Sequence, residues 1–260
     1  MWIEFALIGL LSGYLAGFLG IGGGIVVVPA LTFLFLKEPA TAPWAIHMAV
    51  ATSLAVMLVT SMSSLLAHHR KKAIHWPLVQ SMAAGLMAGA ILGAALAAIL
   101  QGEVLIRVFG LFAILAGFQL ILSPQTEGQK PLPGQPSASI AGGSIGWISA
   151  LVGIGGGSMT VPWLLWHGVQ AQKAVATSAA CGYPIAIAGT LSFVLLGQGI
   201  GLPDDALGYV NLPAFAGIAI FGAGAAPLGA LTVHRLSSSV VRRIFGLFLT
   251  LVGAQMLLNF

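Results

Sequence analysis

Residues 20–31 read GIGGGIVVVPAL, and residues 153–164 read GIGGGSMTVPWL. The two stretches share the pattern GIGGGxxxVPxL, which is identical at eight of its twelve positions and recurs after 133 residues. Glycine destabilises a helix interior by about 1 kcal/mol, and proline by about 3 kcal/mol. The pattern therefore predicts a break within an apolar segment, and its duplication predicts two related halves.

Matches in the same order extend the repeat along the chain. Ala51-Thr52-Ser53 matches 176–178, and the ending Arg107-x-Phe-Gly-Leu-Phe matches the same letters at 243–248. A polar, proline-rich segment separates the copies and cannot lie in hydrocarbon. We assign residues 1–123 to the first transmembrane repeat, 124–138 to a linker, and 139–260 to the second repeat.

The composition excludes most classes of protein. Hydrophobic residues make up 58% of the 260 positions and charged residues only 6%, against about 25% charged in soluble domains. Long uncharged stretches suit membrane-spanning helices of about 17–25 residues. A soluble domain, a disordered chain and a nucleic-acid binder are excluded, and an outer-membrane barrel is disfavoured. The prediction is an all-α polytopic membrane protein with four apolar elements per half, at 3–36, 44–68, 77–99, 104–122, 139–167, 172–197, 209–233 and 240–259.

The first element of each half is too long for one straight helix. Residues 3–36 would extend about 50 Å at 1.5 Å per residue, while the hydrocarbon core is about 30 Å thick. We expect one helix to run to each GIGGG loop and a short second helix to start near Val28-Pro29 or Val161-Pro162. Broken segments at matching positions of two halves indicate the binding site of a transporter.

The direction of the repeat depends on two basic segments, Arg70-Lys71-Lys72 and Arg235/Arg242/Arg243. If every element crosses the membrane, these segments face opposite sides. If the broken element enters and leaves on one side, both can face the cytoplasm, as positive residues prefer, and the repeat is inverted. The inverted arrangement is favoured, and a parallel one stays open.

The glycine triplets are candidates for substrate contact or for close helix packing. Glycine exposes backbone N–H groups, and a helix that restarts there presents its positive end to an anion. Ser158 and Thr160 would add hydroxyl donors in the second half only. The candidate glycines are Gly22, Gly23, Gly24, Gly155, Gly156 and Gly157.

The duplicated Thr-Ser pairs supply the other candidate ligands, Thr52, Ser53, Thr177 and Ser178. Hydroxyl groups in a helix often bond to their own backbone carbonyls, so ligand contact and local bonding are both open. Tyr183, beside Pro184, adds a hydrogen-bond donor in the second half.

Several site types are not expected. No Asp, Glu, Lys or Arg lies deep in a predicted span, so an obvious proton relay is missing. The histidines lack the spacing of metal ligands, although His47 and His68 could line a vestibule. The stripe Gly85, Gly89 and Gly93 is typical of helix packing. We predict no metal, no cofactor and no catalytic residue, and therefore no enzyme.

The duplicated GIGGGxxxVPxL and Ala-Thr-Ser motifs resemble those of the TauE/SafE family of sulfite and sulfonate exporters, also called the toluene sulfonate uptake permease family. The resemblance covers both halves and the linker. It implies an inner-membrane carrier for sulfur-containing anions such as sulfite, sulfoacetate or related organosulfonates.

These inferences predict a multi-pass inner-membrane transporter that exports such anions by alternating access from one central site. A passive anion channel and a carrier of non-sulfur organic anions are the alternatives. The predicted partners are a small anionic substrate and the lipid bilayer, without nucleic acid. A homo-oligomer is left open.

Overall fold

A computed structural model describes residues 2–19, 23–122, 132, 134–232 and 238–259. Gly22 and most of the predicted linker lie outside the described residues. The helices are α1 (Trp2–Leu19), α2 (Gly24–Leu36), α3 (Ala45–Arg70), α4 (Trp76–Ile99), α5 (Gly102–Leu122), α6 (Ser137–Val152), α7 (Gly157–Trp166), α8 (Ala171–Leu196), α9 (Leu212–Thr232) and α10 (Ser238–Asn259). A two-stranded antiparallel hairpin, β1 (Ala206–Leu207) and β2 (Val210–Asn211), precedes α9.

The all-α membrane architecture is confirmed. Within the described residues, α3, α4, α5, α8 and α9 are long and apolar enough to cross a membrane, and α10 contributes the apolar segment Gly246–Leu258. The helix ends agree with the predicted elements to within a few residues. The small β1–β2 hairpin was not predicted, and α6 begins at Ser137, two residues before the expected start of the second half.

The apolar first elements are interrupted at the glycine loops. In the second half, α6 ends at Val152 and Gly153 takes a left-handed φ of 70°, a conformation that glycine adopts without steric cost. The prediction that the second helices start at the Val-Pro pairs is wrong. They start four residues earlier because the carbonyl groups of Gly23 and Gly156 accept N–H bonds that close the first turn. Pro29 and Pro162 therefore lie inside short helices.

Glycine contacts define two pairs of parallel helices. Gly85, Gly89 and Gly93 of α4 lie against the backbones of Ser139, Gly143 and Trp147 of α6. The same rising order occurs where Gly9, Gly13 and Gly17 of α1 meet Ile218, Gly222 and Ala226 of α9. The α4 stripe is thus an internal packing seam, as expected for small residues that allow close approach.

The central helices α3 and α8 pack in opposite directions. Leu54 of α3 lies beside Gly189, whereas Ser61 lies beside Gly182. The helices α5 and α10 are also antiparallel, because Gly110 faces Gly253 and Gly117 faces Gly246. Since α3 corresponds to α8 and α5 to α10 in the sequence, these directions support an inverted repeat, which stays an inference.

The broken element of the first half turns back on itself. Thr52 bonds to Asn211 and Thr60 lies near Gly222, so α3 is parallel to α9 and hence to α1. Gly24 lies beside Ser53, while Val28 and Val50 both border Gly153, so α2 runs against α3. The helices α1 and α2 therefore form a hairpin that starts and ends at the same face of the molecule.

The helix directions separate the charges of the described residues into two faces. The end where α3 finishes and α8 and α10 begin, here called the basic face, carries no described acidic residue, and its cations include Arg70, Lys71, Lys72, Lys173 and Arg243. The opposite end, the acidic face, carries Glu4, Lys37, Glu38, Glu103, Arg107, Asp204 and Asp205. Both predicted basic segments meet the basic face, although Arg235 lies outside the described residues.

Candidate functional site

A first polar cluster forms where α2 and α3 meet the loop after α6. The Ser53 hydroxyl donates to the Gly153 carbonyl over 2.7 Å, and Gly24 lies directly against both residues. Ser53 and Gly24 are buried. The two glycine-rich segments therefore meet at a point where even a Cβ atom on Gly24 would collide with backbone.

A second cluster surrounds the start of α7 and the second turn of α8. Within the described part of the chain, the Oγ atoms of Ser158 and Ser178 and the Oγ1 atom of Thr160 are buried without a hydrogen-bond partner. An unpartnered buried hydroxyl costs about 1–3 kcal/mol. These three groups, two in the first turn of α7 and one in the second turn of α8, are therefore available to bond a ligand that enters.

The paired threonines hold the first turns of two long helices. The Asn211 N–H donates to Thr52 Oγ1, and the His75 N–H donates to Thr177 Oγ1, each over 3.0 Å. Asn211 and His75 are themselves the caps before α9 and α4: Asn211 Oδ1 accepts the Ala214 N–H, and His75 Nδ1 accepts the Leu78 N–H.

Each threonine hydroxyl accepts in these contacts and keeps its own proton to donate. The sequence analysis did not predict Asn211 and His75 as helix caps. Asn211 could have been recognised because asparagine is a preferred helix cap, whereas His75 carries no comparable signal.

The structure does not bring the two Thr-Ser pairs together. Since Leu54 is level with Gly189 and Ser61 with Gly182, Ser178 is level with a residue about twelve positions beyond Ser53 on α3. That offset is about 18 Å at 1.5 Å per residue. The expected central site is therefore two clusters at different depths.

The remaining candidates lie in or near the second cluster. Gly155, Gly156 and Gly157 are buried in the loop before α7 and in its first turn. Gly156 faces Ile185 and the Thr160 hydroxyl. Tyr183 is half-buried on α8, more than one turn beyond Ser178.

A cavity of about 120 Å³ opens between α1, α3, α8 and α9, and is here called the polar cavity because α3 gives it one polar wall, although the other walls are apolar. One water needs only about 10–15 Å³, so this volume holds several waters or a small oxyanion. The α3 wall supplies hydroxyl groups and two basic side chains, His68 and Lys71, and Ala179 lies on the wall next to Ser178. The hydroxyl-bearing residues are Thr60, Ser61, Ser63 and Ser64. Four hydroxyl-bearing residues within five positions of an apolar helix are a sequence signal that was missed.

An aromatic cluster closes the other end of the α3–α8 pair. The Tyr209 ring stacks on His47 at 5.5 Å between centroids and meets Trp44 and Phe193 edge-on at 5.9 and 6.0 Å. Tyr209 is carried by the β1–β2 hairpin, whose Tyr209 N–H donates to the Phe193 carbonyl. Burial raises the pKa of the Tyr209 phenol.

The described residues also form an apolar groove and contain no candidate metal site. A groove of about 260 Å³ between α1, α2 and α10 is lined by apolar side chains. Among the described residues, no group of three His, Cys, Asp or Glu side chains could hold a metal ion. His234 lies outside the described residues.

Comparison with known proteins places these features in a family. The model of the family described as sulfite exporter TauE/SafE matches residues 5–256. A probable membrane transporter protein of Haemophilus influenzae is 33% identical over 97% of this chain and 97% of its own length. The probable membrane transporter protein YunE of Bacillus subtilis is 27% identical over 98% of this chain and 97% of its own length.

The similarity extends to an archaeon, but not to any solved structure. The probable membrane transporter protein MJ0441 of Methanocaldococcus jannaschii is 28% identical over 97% of this chain and 94% of its own length. No solved structure matches the chain. The full-length family match and the apolar helices lead to one conclusion: the chain belongs to the TauE/SafE family and is a multi-pass membrane transporter, not an enzyme.

Proposed function

We propose that the protein exports small sulfur-containing anions, such as sulfite, sulfoacetate or related organosulfonates, across the inner membrane by alternating access. The observation that carries this proposal is the second cluster, where the hydroxyl groups of Ser158, Thr160 and Ser178 are buried without a partner in the described residues. The family to which the chain belongs is described as one of sulfite exporters.

The chemistry of the interior favours an anion. Hydroxyl and backbone N–H groups donate to the oxygens of an oxyanion, and the first turn of α7 presents its N–H groups and positive dipole end to the same region. Carboxylates would repel such a ligand, and the charged residues of the described helices lie near helix ends. The substrate contacts proposed here are the Thr-Ser pairs, the glycine loops, Ser158, Thr160 and Tyr183, with the first and second clusters contacting the anion at successive depths.

The charge asymmetry supports an orientation and a direction. Loops rich in Lys and Arg stay in the cytoplasm, so we assign the basic face to the cytoplasm and the acidic face to the exterior. The membrane potential, negative inside, then favours anion export by about 2.3 kcal/mol per charge per 100 mV. Export needs no coupling residue under this assignment.

The organisation in two inverted repeats, 1–123 and 139–260, belongs to the same proposal. It is supported by the antiparallel pairs α3–α8 and α5–α10 and by the parallel pairs α1–α9 and α4–α6. Cysteine labelling at Lys72 and Arg243 tests it: both positions should react from the same side of the membrane. Labelling from opposite sides would contradict the inverted arrangement.

Ligand binding by purified protein tests the substrate class. Sulfite, thiosulfate, sulfoacetate, taurine, sulfate and matched carboxylates are compared by thermal shift, followed by anion flux in proteoliposomes. We expect a sulfur oxyanion to raise Tm and to be transported with saturable kinetics. Binding only of carboxylates would overturn the substrate class, and single-channel currents would overturn the carrier mechanism.

A matched pair of variants on α8 tests the site. Ser178→Ala removes an unpartnered buried hydroxyl, whereas Ser192→Ala removes one that donates to the Ala188 carbonyl within the same helix. We expect Ser178→Ala to weaken anion binding at least tenfold and Ser192→Ala to leave it within twofold. Equal binding by both variants would remove Ser178 from the site.

A further inference from the structure

The α3 wall of the polar cavity is an ordered stripe. Ser61, Ser64, His68 and Lys71 follow one another at intervals of three and four residues, which places them on one face of the helix. The stripe runs about 15 Å along α3 at 1.5 Å per residue. It begins near the middle of the helix and ends at Lys71, the residue after α3, on the basic face.

The hydroxyl groups of this stripe are not used to hold the protein together. Other hydroxyls on the same helix are, since Thr60 donates to the Val56 carbonyl and Ser53 to Gly153. In the described part of the chain, Ser61 and Ser64 form no hydrogen bond with protein. Half-buried hydroxyls that line a cavity beneath two basic side chains are suited to an anion.

On the α8 side, the cavity is bordered by the residue that follows Ser178 of the second cluster. Ala179 lines the cavity, and the preceding residue, Ser178, carries an unpartnered buried hydroxyl. Ser178 is level with residue 65 of α3, so its buried hydroxyl stands beside the middle of the stripe.

The three positions of α8 that correspond to Ser61, Ser64 and His68 are closed. When Ala51-Thr52-Ser53 is aligned with residues 176–178, Ser61 corresponds to Ala186, Ser64 to Gly189 and His68 to Phe193. Ala186 and Phe193 have no exposed surface, and Gly189 packs against Leu54. No hydroxyl or cation stands at these positions.

We propose that Ser61, Ser64, His68 and Lys71 form an entry site for the oxyanion on the basic face, and that this structure is the conformation open to that face. The inference rests on the proposed function and adds a second binding position beside the buried Ser178 hydroxyl. Lys71 attracts the anion, and the His68 ring and the serine hydroxyls replace part of its hydration as it moves inward.

Sided cysteine labelling tests the open direction. Ser61→Cys and its counterpart Ala186→Cys are made in a Cys181→Ala background and exposed to a membrane-impermeant, negatively charged thiol reagent on either side. Ser61→Cys should react at least tenfold faster from the basic face than from the acidic face, and Ala186→Cys should react from neither. Equal reaction of the two, or no reaction of Ser61→Cys, would overturn the proposal. Ser64→Cys serves as a second reporter if Ser61→Cys folds poorly.

Protection of the thiol tests anion binding in the same variant. Sulfoacetate should slow the modification of Ser61→Cys at least threefold, while choline, a cation of similar size, should leave the rate unchanged. Equal effects of the two compounds would show an open crevice without anion preference and would overturn the entry site.

Two adjacent lysines separate this proposal from the proposed function. Lys71 lines the cavity, whereas Lys72 has the same charge but does not. Lys71→Gln should raise KM for sulfoacetate efflux at least threefold with little change in kcat, and Lys72→Gln should change KM less than 1.5-fold. Equal KM values would overturn the entry site while export stands. Absence of any anion flux in the wild type would overturn the proposed function, and the sided labelling would still report the open direction.

Discussion

The two ends of the α3–α8 pair differ in what fills the same helical positions. Toward the basic face, Ser61 and His68 border a polar cavity. Toward the acidic face, the corresponding Ala186 and Phe193 are fully buried, and Tyr209 packs on Phe193. The two halves share their glycine motifs but not these side chains. The open and closed ends therefore follow from the different residues at matching positions of α3 and α8.

The difference has an energetic consequence. Burying a large apolar side chain contributes about 1.5–3 kcal/mol, so opening the acidic face must expose the rings of Phe193 and Tyr209 at a comparable cost. The cavity on the basic face is large enough for several waters and requires no such exposure. We expect the state open to the basic face to dominate at rest, with the aromatic cluster acting as the closed gate.

Removing the gate should have the largest effect. Tyr209→Ala deletes a ring that contacts Trp44, His47 and Phe193, at a cost of about 3 kcal/mol. In an Ala186→Cys, Cys181→Ala background we expect labelling from the acidic face to rise at least tenfold. Phe118→Ala is the control, because that ring is 49% exposed. An unchanged labelling rate would mean that the cluster does not close this end.

The two threonines that accept the N–H groups of the helix caps should contribute unequally to stability. Thr52→Val leaves the buried Asn211 N–H without its acceptor, which costs about 1–3 kcal/mol. Thr177→Val affects the N–H of His75, an exposed residue that water can reach, so its cost should stay below about 1 kcal/mol. Thermal unfolding in detergent measures both variants. A larger loss of Tm for Thr177→Val would contradict the assignment of open and closed ends.

Exchanging one hydroxyl between the ends should have the smallest effect. Ser61→Ala removes a hydroxyl without a protein partner, so KM for the anion should rise about twofold while Tm stays constant. Ala186→Ser adds a hydroxyl to a packed position, so the free energy of unfolding should fall by about 1 kcal/mol and Tm should fall with it. KM should stay constant. The reverse pattern, with KM responding only at position 186, would exchange the roles of the two ends.

The sequence predicted the helices well because their signal is local. Uncharged runs bounded by Lys, Arg, Asp or Glu mark the ends of helices such as α3 and α4, and the GIGGG motifs mark the interruptions. The start of α2 was missed by four residues, since the carbonyl of Gly23 closes a helical turn before Pro29. Local propensity favours proline at the first position, but in both halves the glycine-led turn forms ahead of it.

The sequence identified which residues could bind a ligand, but only part of their spatial arrangement. Duplication singled out Thr52, Ser53, Thr177 and Ser178, yet sequence distance does not reveal that antiparallel packing of α3 on α8 separates the pairs by about 18 Å. The hydrogen bonds between Thr52 and Asn211 and between Thr177 and His75 join residues more than 100 positions apart. No periodicity or motif encodes such contacts.

The sequence by itself determined the membrane class, the helices, their interruptions and the family, because hydrophobicity and glycine content act within a single segment. Only the tertiary structure decided the direction of each helix, the hairpins of α1 with α2, the separation of the two polar clusters and the open and closed ends. These features depend on which glycine meets which backbone and on which hydroxyl is left without a partner, and both are properties of packing between distant segments.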